Sequence, residues 1–298
     1  MWKNALLVFL GACSFGVLSS FVKIAYAKGY TLGEVTGIQI FFGMLILWII
    51  YWFGKAGGFL QRKNTTQKGS WKLLLSGVST GTVSILYYKC IQLLPASIAI
   101  VLLMQFIWMG IFLEYLFFQV KPSKIQITSV FLVLIGTVLA AGLLNESQFA
   151  LSFKGITFGL LAALSYAIFL IVNGRVGNTY PAIQKSALML TGACILIFAI
   201  FPPFFIIDGT LIAGLWFWGL ILALFGTILP PLFFAIGVPK IGIPVSSILS
   251  AAELPVAVAM SYFVLSEKVS VEQWLGVIII LLAIILPNWS KLKRNKPA

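Results

Sequence analysis

A chain of 298 residues that is 61% hydrophobic and 9% charged, with a mean hydropathy of +1.08, cannot be a water-soluble globule, whose make-up is about half apolar and a quarter charged. Its 20 Lys and Arg against 7 Asp and Glu would suit a nucleic-acid partner only if gathered on one solvated face, and here they lie between apolar runs. There is no histidine, which excludes a His-based metal site, catalytic triad or proton relay, and no GxxxxGK[ST] loop for ATP, so neither enzyme chemistry nor a cofactor is expected.

The apolar runs repeatedly reach the roughly 20 residues that cross a bilayer as a helix. Bounded by Gly, Pro or charge, they predict ten helices: Asn4–Tyr26, Gly33–Phe53, Trp71–Leu94, Ala96–Phe118, Ile125–Leu144, Gly155–Val176, Ala182–Phe201, Leu215–Val238, Val245–Leu265 and Val271–Ser290. The first resembles a secretory signal, with Lys3, an apolar run and Ala25-Tyr26-Ala27, but its core is long and Lys23 interrupts the approach, so cleavage is not expected. Thr31 to Glu34 has capping-box spacing for the second helix. Pro95, Pro181 and Pro244 stand at helix starts, where a missing N–H costs nothing. Between the second and third helices, residues 54–70 read as a solvated connection. The cysteines, Cys13, Cys90 and Cys194, fall inside spans as packing residues.

Cations orient the spans. With the N-terminus inside, fifteen Lys and Arg lie on the cytoplasmic side and five on the other, which predicts a cell-membrane protein with both termini cytoplasmic.

One pattern occurs twice. PASIA (95–99) and PVSSI (244–248) each open a helix, and VKPSKIQ (120–126) and EKVSVEQ (267–273) follow them; Ser97 to Gln126 is 29 residues and Ser246 to Gln273 is 27. CSFG (13–16) and LSYA (164–167) match more weakly. Five helices per copy, 1–146 and 147–298, force the second copy to insert inverted, the arrangement in which secondary transporters hold substrate at the midplane and work by rocking one half on the other.

The residues LLPASIA (93–99), ELP (253–255) and LSEKVSVEQWLG (265–276), with the ten spans and the repeat, resemble the drug/metabolite transporter superfamily, EamA type. The resemblance implies an all-α basket whose central cavity is lined by helices one, three, four, six, eight and nine. It also implies export of amino acids or similar metabolites by alternating access. Two positions depart from the pattern: Val120 stands where the second copy has Glu267, and Gln39 stands where the family often has arginine.

Among the carboxylates, Glu34, Glu146, Asp208, Glu267 and Glu272 sit near helix ends, and Glu114 lies close enough to the cytoplasmic surface to pair with Lys121. Glu253 is near the midplane, where an ionised group costs about 3 kcal/mol and normally faces an interior or a water-filled cavity. It is expected to hold a substrate ammonium or exchange a coupling proton; the alternative is a structural glutamate bonded to hydroxyls. Pro255 leaves the carbonyl of Ala251 without its helical donor and bends the helix.

Lys89 is the nearest intramembrane cation, either snorkelling to the interface or meeting a substrate carboxylate. Ser76, Thr80, Ser84 and Tyr87 form one stripe of helix three, and Ser246, Ser250 and Glu253 one of helix nine; such hydroxyls line a path or glue helices. Gly77 and Gly81 mark close packing. Gln105 and Trp108 fall near the position that pairs with Glu253 in the repeat, and Pro230 and Pro231 break helix eight as a gate or hinge. The partners expected are thus a small-molecule substrate, the bilayer and a coupling proton, with monomer and homodimer both open. Import of a quaternary amine by proton coupling is the alternative to amino-acid export.

Overall fold

The computed structural model describes residues 2–57, 70–94, 96–142, 152–266 and 268–294. Pro95, Glu146, Glu267 and most of the 54–70 connection therefore lie outside the described residues. Thirteen α-helices and no strands occur among those described. They are α1 (Trp2–Ala27), α2 (Leu32–Ala56), α3 (Ser70–Leu93), α4 (Ala96–Met104), α5 (Phe106–Phe118), α6 (Lys124–Ala140), α7 (Phe153–Arg175), α8 (Ala182–Ile200), α9 (Trp216–Leu222), α10 (Leu229–Ile241), α11 (Ile243–Ser250), α12 (Glu253–Phe263) and α13 (Val271–Arg294).

These make ten passes, because α4 with α5, α9 with α10, and α11 with α12 are each two arms of one span. Seven spans are long and apolar enough to cross a membrane by length and composition. Shorter apolar helices, α6 and the apolar part of α13, account for two more, and α3, diluted by hydroxyls, is the last.

Three spans are interrupted: the eighth and ninth, where prolines are expected to break or bend the helix, and the fourth, which the sequence reads as unbroken. At Gln105 the backbone N–H bonds to Leu102 O (3.2 Å) while the side-chain Nε2 takes the Val101 carbonyl (2.9 Å), so the side chain stands in for one rung of the ladder. Gln105 and Ala252 have the same conformation, φ −60° and ψ −18°, and occupy corresponding places in the two halves. The repeat thus extends to the interruption itself. In the eighth pass the interruption is π-helical, over Leu211–Leu215 and Ala223–Ile228, with Pro230 and Pro231 in the first turn of α10.

The repeated SxxQ has a physical meaning as well. Ser123 N–H donates to Gln126 Oε1 (2.7 Å) and Gln126 N–H to Ser123 Oγ (3.3 Å); Ser270 and Gln273 do the same at 2.9 and 3.4 Å. Each copy opens its last helix with a reciprocal capping box. The expected box at Thr31 and Glu34 is present too.

Packing interlaces the halves. α6 lies on α13, α3 on α7 and α8, and α1 on α10 and α12. The α3–α8 crossing is backbone on backbone: a Cβ at Gly77 would strike the Met189 carbonyl, and one at Gly192 the Leu74 carbonyl. Gly81 continues the seam against Ala193 and Leu196, as small residues do where helices meet in a bilayer. Gly77→Val should therefore lower stability by about 1–3 kcal/mol through overpacking, read as a fall in melting temperature of the detergent-purified protein; an unchanged melting curve would mean the crossing is looser than described.

Candidate functional site

A cavity of about 380 Å³ occupies the middle of the bundle. It is lined from α1, α3, α4, α7, the π-helical stretch and α12, the passes the family resemblance implies, and also by Gln39 of α2, Ala140 of α6 and Gln273 of α13. It rises past Lys23 and Tyr26 of α1 to Lys268 and Val269 in the α12–α13 connection, and so reaches the end of the bundle opposite the termini. Toward the termini the interior is filled by a large apolar cluster that includes Phe106, Ile107, Phe234 and Val8. On that side Arg175, at the end of α7, bonds the Glu114 carboxylate of α5 through Nε and Nη2, and its guanidinium carbon lies 3.7 Å over the Phe118 ring. Glu114 is 3% exposed; its partner is Arg175, on the other half, and not Lys121.

Glu253 is on the cavity wall, 8% exposed, in the first turn of α12 directly after the Ala251–Ala252 interruption. The hydroxyl of Tyr166 on α7 donates to its Oε2 at 3.4 Å and also meets Ser250. The helix does break here, but the Ala251 carbonyl is not left free: Leu254 N–H reaches it at 3.2 Å. Pro255 is buried beside Glu253 without lining the cavity.

The repeat explains the neighbourhood. CSFG and LSYA set Phe15 opposite Tyr166, and the shared interruption sets Phe106 opposite Glu253. All four meet at the centre: Phe106 stacks on Tyr166 (centroids 4.2 Å apart), and Phe15 meets Tyr166 edge-on at 6.0 Å. One half contributes two phenyl rings and the other a phenol and an acid, so the centre is apolar on one side and hydrogen-bonding on the other.

The stripes divide. Thr80, Ser84 and Tyr87 line the cavity, whereas Ser76 bonds the Lys72 carbonyl away from it. Ser246 and Ser250 donate to the carbonyls of Gly242 and Ser246 within their own helix and do not line it. Five further candidates lie off the cavity wall. Lys89 is exposed and bonds Gln92 Oε1 at 3.0 Å, the snorkelling geometry. Trp108, 41% exposed, donates to Gln105 Oε1 (2.8 Å), and neither faces the cavity; the place corresponding to Glu253 is taken by Phe106, which is buried in the apolar cluster. Pro230 and Pro231 are buried behind Gly226 and Thr227, which do line it. Tyr166 and Gln39 were missed among the candidates. For Tyr166 a signal existed: LSYA puts a phenol where CSFG has a ring without one. No cluster of metal-ligating side chains occurs among the described residues.

The EamA-like transporter family matches twice, over residues 2–142 and 153–289. The chain belongs to the EamA-like transporter family. It is 28% identical over 233 residues, 76% of this chain and 75% of the relative, to the uncharacterized inner membrane transporter YicL of Salmonella typhimurium. A protein known from a crystal structure superposes with a TM-score of 0.76 over 95% of this chain and 96% of its own, at 12% identity, which speaks to the fold alone. The protein is a multi-pass membrane transporter of small molecules, of the drug/metabolite type.

Breaking the inter-half pair is a direct test of the filled side. Arg175→Gln leaves a buried carboxylate without its partner and should cost about 3 kcal/mol, whereas Arg175→Gln with Glu114→Gln should recover much of it, both read by thermal melting.

Proposed function

We propose that the protein is a secondary active transporter of small amine-bearing amphiphiles, amino acids being the first class, exported by alternating access around Glu253. A carboxylate on the wall of a mid-bundle cavity, beside a phenol and the phenyl rings of Phe15 and Phe169 on the same wall, carries this reading. An acid in that environment holds a protonated amine by a charge-assisted hydrogen bond while the rings take the apolar body. It can also exchange a proton with the medium when no amine is present, which couples the cycle to a pH gradient.

On this reading both termini are cytoplasmic and the cavity, which reaches the opposite end, faces outward in this state. The boundary between the two copies of the repeat falls at residues 146 and 147. A second reading, proton-coupled import of a small organic cation such as a quaternary amine, is favoured by the rings alone: Phe15, Tyr87, Tyr166 and Phe169 line the same cavity and present faces for a cation that donates no hydrogen bond.

Glu253→Gln in proteoliposomes tests both. Losing the charge-assisted hydrogen bond to an ammonium, or the charge attraction to a quaternary amine, should slow transport of amino acids or choline-like cations about tenfold or more and abolish any response to an imposed pH gradient; unchanged rates with and without the gradient would sink the proposal.

The eighth pass supplies the hinge. Prolines at 230 and 231 deny donors to the preceding turn, so the π-helical stretch can open and close without exchanging hydrogen bonds it never had. Replacing both by Ala restores two N–H groups, and turnover should fall severalfold; wild-type turnover would assign the prolines a packing role only.

A further inference from the structure

The cavity has a second polar pole that Glu253 does not account for. Gln39 of α2 is 4% exposed, lines the cavity, and its Oε1 has no hydrogen-bond partner. An unsatisfied buried acceptor is costly, so its position on a cavity wall suits something that enters the cavity. Gly226 on the facing π-helical stretch adds a second acceptor. Its carbonyl could take an α-type bond only from residue 230 or a π-type bond only from residue 231, and both are proline. The missing side chain matters too, because a Cβ at 226 would strike the Gln39 carboxamide nitrogen. Thr227 Oγ1 donates to the Gln39 carbonyl at 3.0 Å and holds α2 to this stretch. Thr80 and Tyr26 line the same cavity, and their buried hydroxyls also have no partner.

Every one of these groups is neutral. The two poles lie at one depth: Gly16 of α1 abuts the Glu253 backbone and Leu18 abuts Gly226, two residues or about 3 Å apart along the helix. The cations on the cavity wall are further out. Lys23 is seven residues beyond Gly16, about 10 Å toward the mouth, and Lys268 lies in the connection above it. The carboxylate of an α-amino acid anchored by its ammonium at Glu253 would therefore sit unpaired at mid-depth, and a buried charge without a partner is costly.

We propose that Gln39, with Gly226 and Thr80, is the subsite for the second polar group of a ligand whose amine is held at Glu253, and that it selects a neutral hydrogen-bonding group. Among the amine-bearing amphiphiles of the proposed function, amino alcohols and amino-acid amides are then preferred over the zwitterionic amino acids, which narrows the class named there. This rests on the amine being held at Glu253.

The test is isothermal titration of the purified full chain with leucinamide, leucinol and leucine, which share one apolar body. The amide and alcohol should bind about tenfold more tightly than the acid, the worth of one well-made hydrogen bond against an unpaired charge. Gln39→Leu and Thr80→Val should each erase that preference, and Gln39→Arg should reverse it in favour of leucine, in variants whose melting curves match the wild type. Equal binding of all three by the wild type, or an unchanged order in Gln39→Arg, would overturn the subsite. Glu253→Gln separates the premises: loss of binding of all three with no preference in the wild type leaves the amine anchor standing and removes the Gln39 subsite, whereas an intact preference in Glu253→Gln does the converse. No binding of any probe by the wild type removes both.

Discussion

In hydrocarbon no water is at hand to satisfy a backbone N–H or C=O that its helix has given up. The three interrupted spans are governed by that constraint, and the cavity is built from the ways it is met. Gln105 gives its own carboxamide to the Val101 carbonyl. Leu254 N–H takes the Ala251 carbonyl one residue early. Ser14 Oγ on α1 reaches across to the Phe225 carbonyl at 2.8 Å, and Thr227 binds back to Ala223 and Gln39. Two of the three interruptions supply the cavity wall, with Glu253 after one and Gly226 inside another. The third lies at the place related by the repeat and turns outward.

That difference is the useful part of the duplication. Two copies inserted head to tail bring the same positions face to face, and a single exchange at each position differentiates them: a hydroxyl on Tyr166 that Phe15 lacks, a carboxylate at Glu253 where Phe106 has a ring. The aromatic partners come from both halves, so the acid is held by a scaffold that would be apolar if the copies were identical.

Much of this could be read from the chain. Apolar runs of bilayer length, the doubled SxxQ and the lone mid-span carboxylate are strong local signals, and Thr80, Ser84 and Tyr87 follow from helical spacing alone. What failed depended on tertiary choices. Gln105 and Trp108 were placed by counting through a helix taken as unbroken, and the interruption moves the corresponding position to Phe106. Ser250 satisfies its hydroxyl on its own helix, a choice periodicity does not reveal. Glu114 and Arg175 stand 61 residues apart, in different halves, where Lys121 was the near and obvious cation. Gln39 sits among apolar neighbours, and only the folded cavity reveals that its oxygen has nothing to bond.

The glycine seam between α3 and α8 limits what can move. Those helices belong to different copies of the repeat, yet their main chains touch at Gly77 and at Gly192, leaving no side-chain layer to shear. They must travel as one piece. Any rigid body that contains one of them contains the other, so it draws on both copies, and its border does not coincide with the midpoint of the polypeptide.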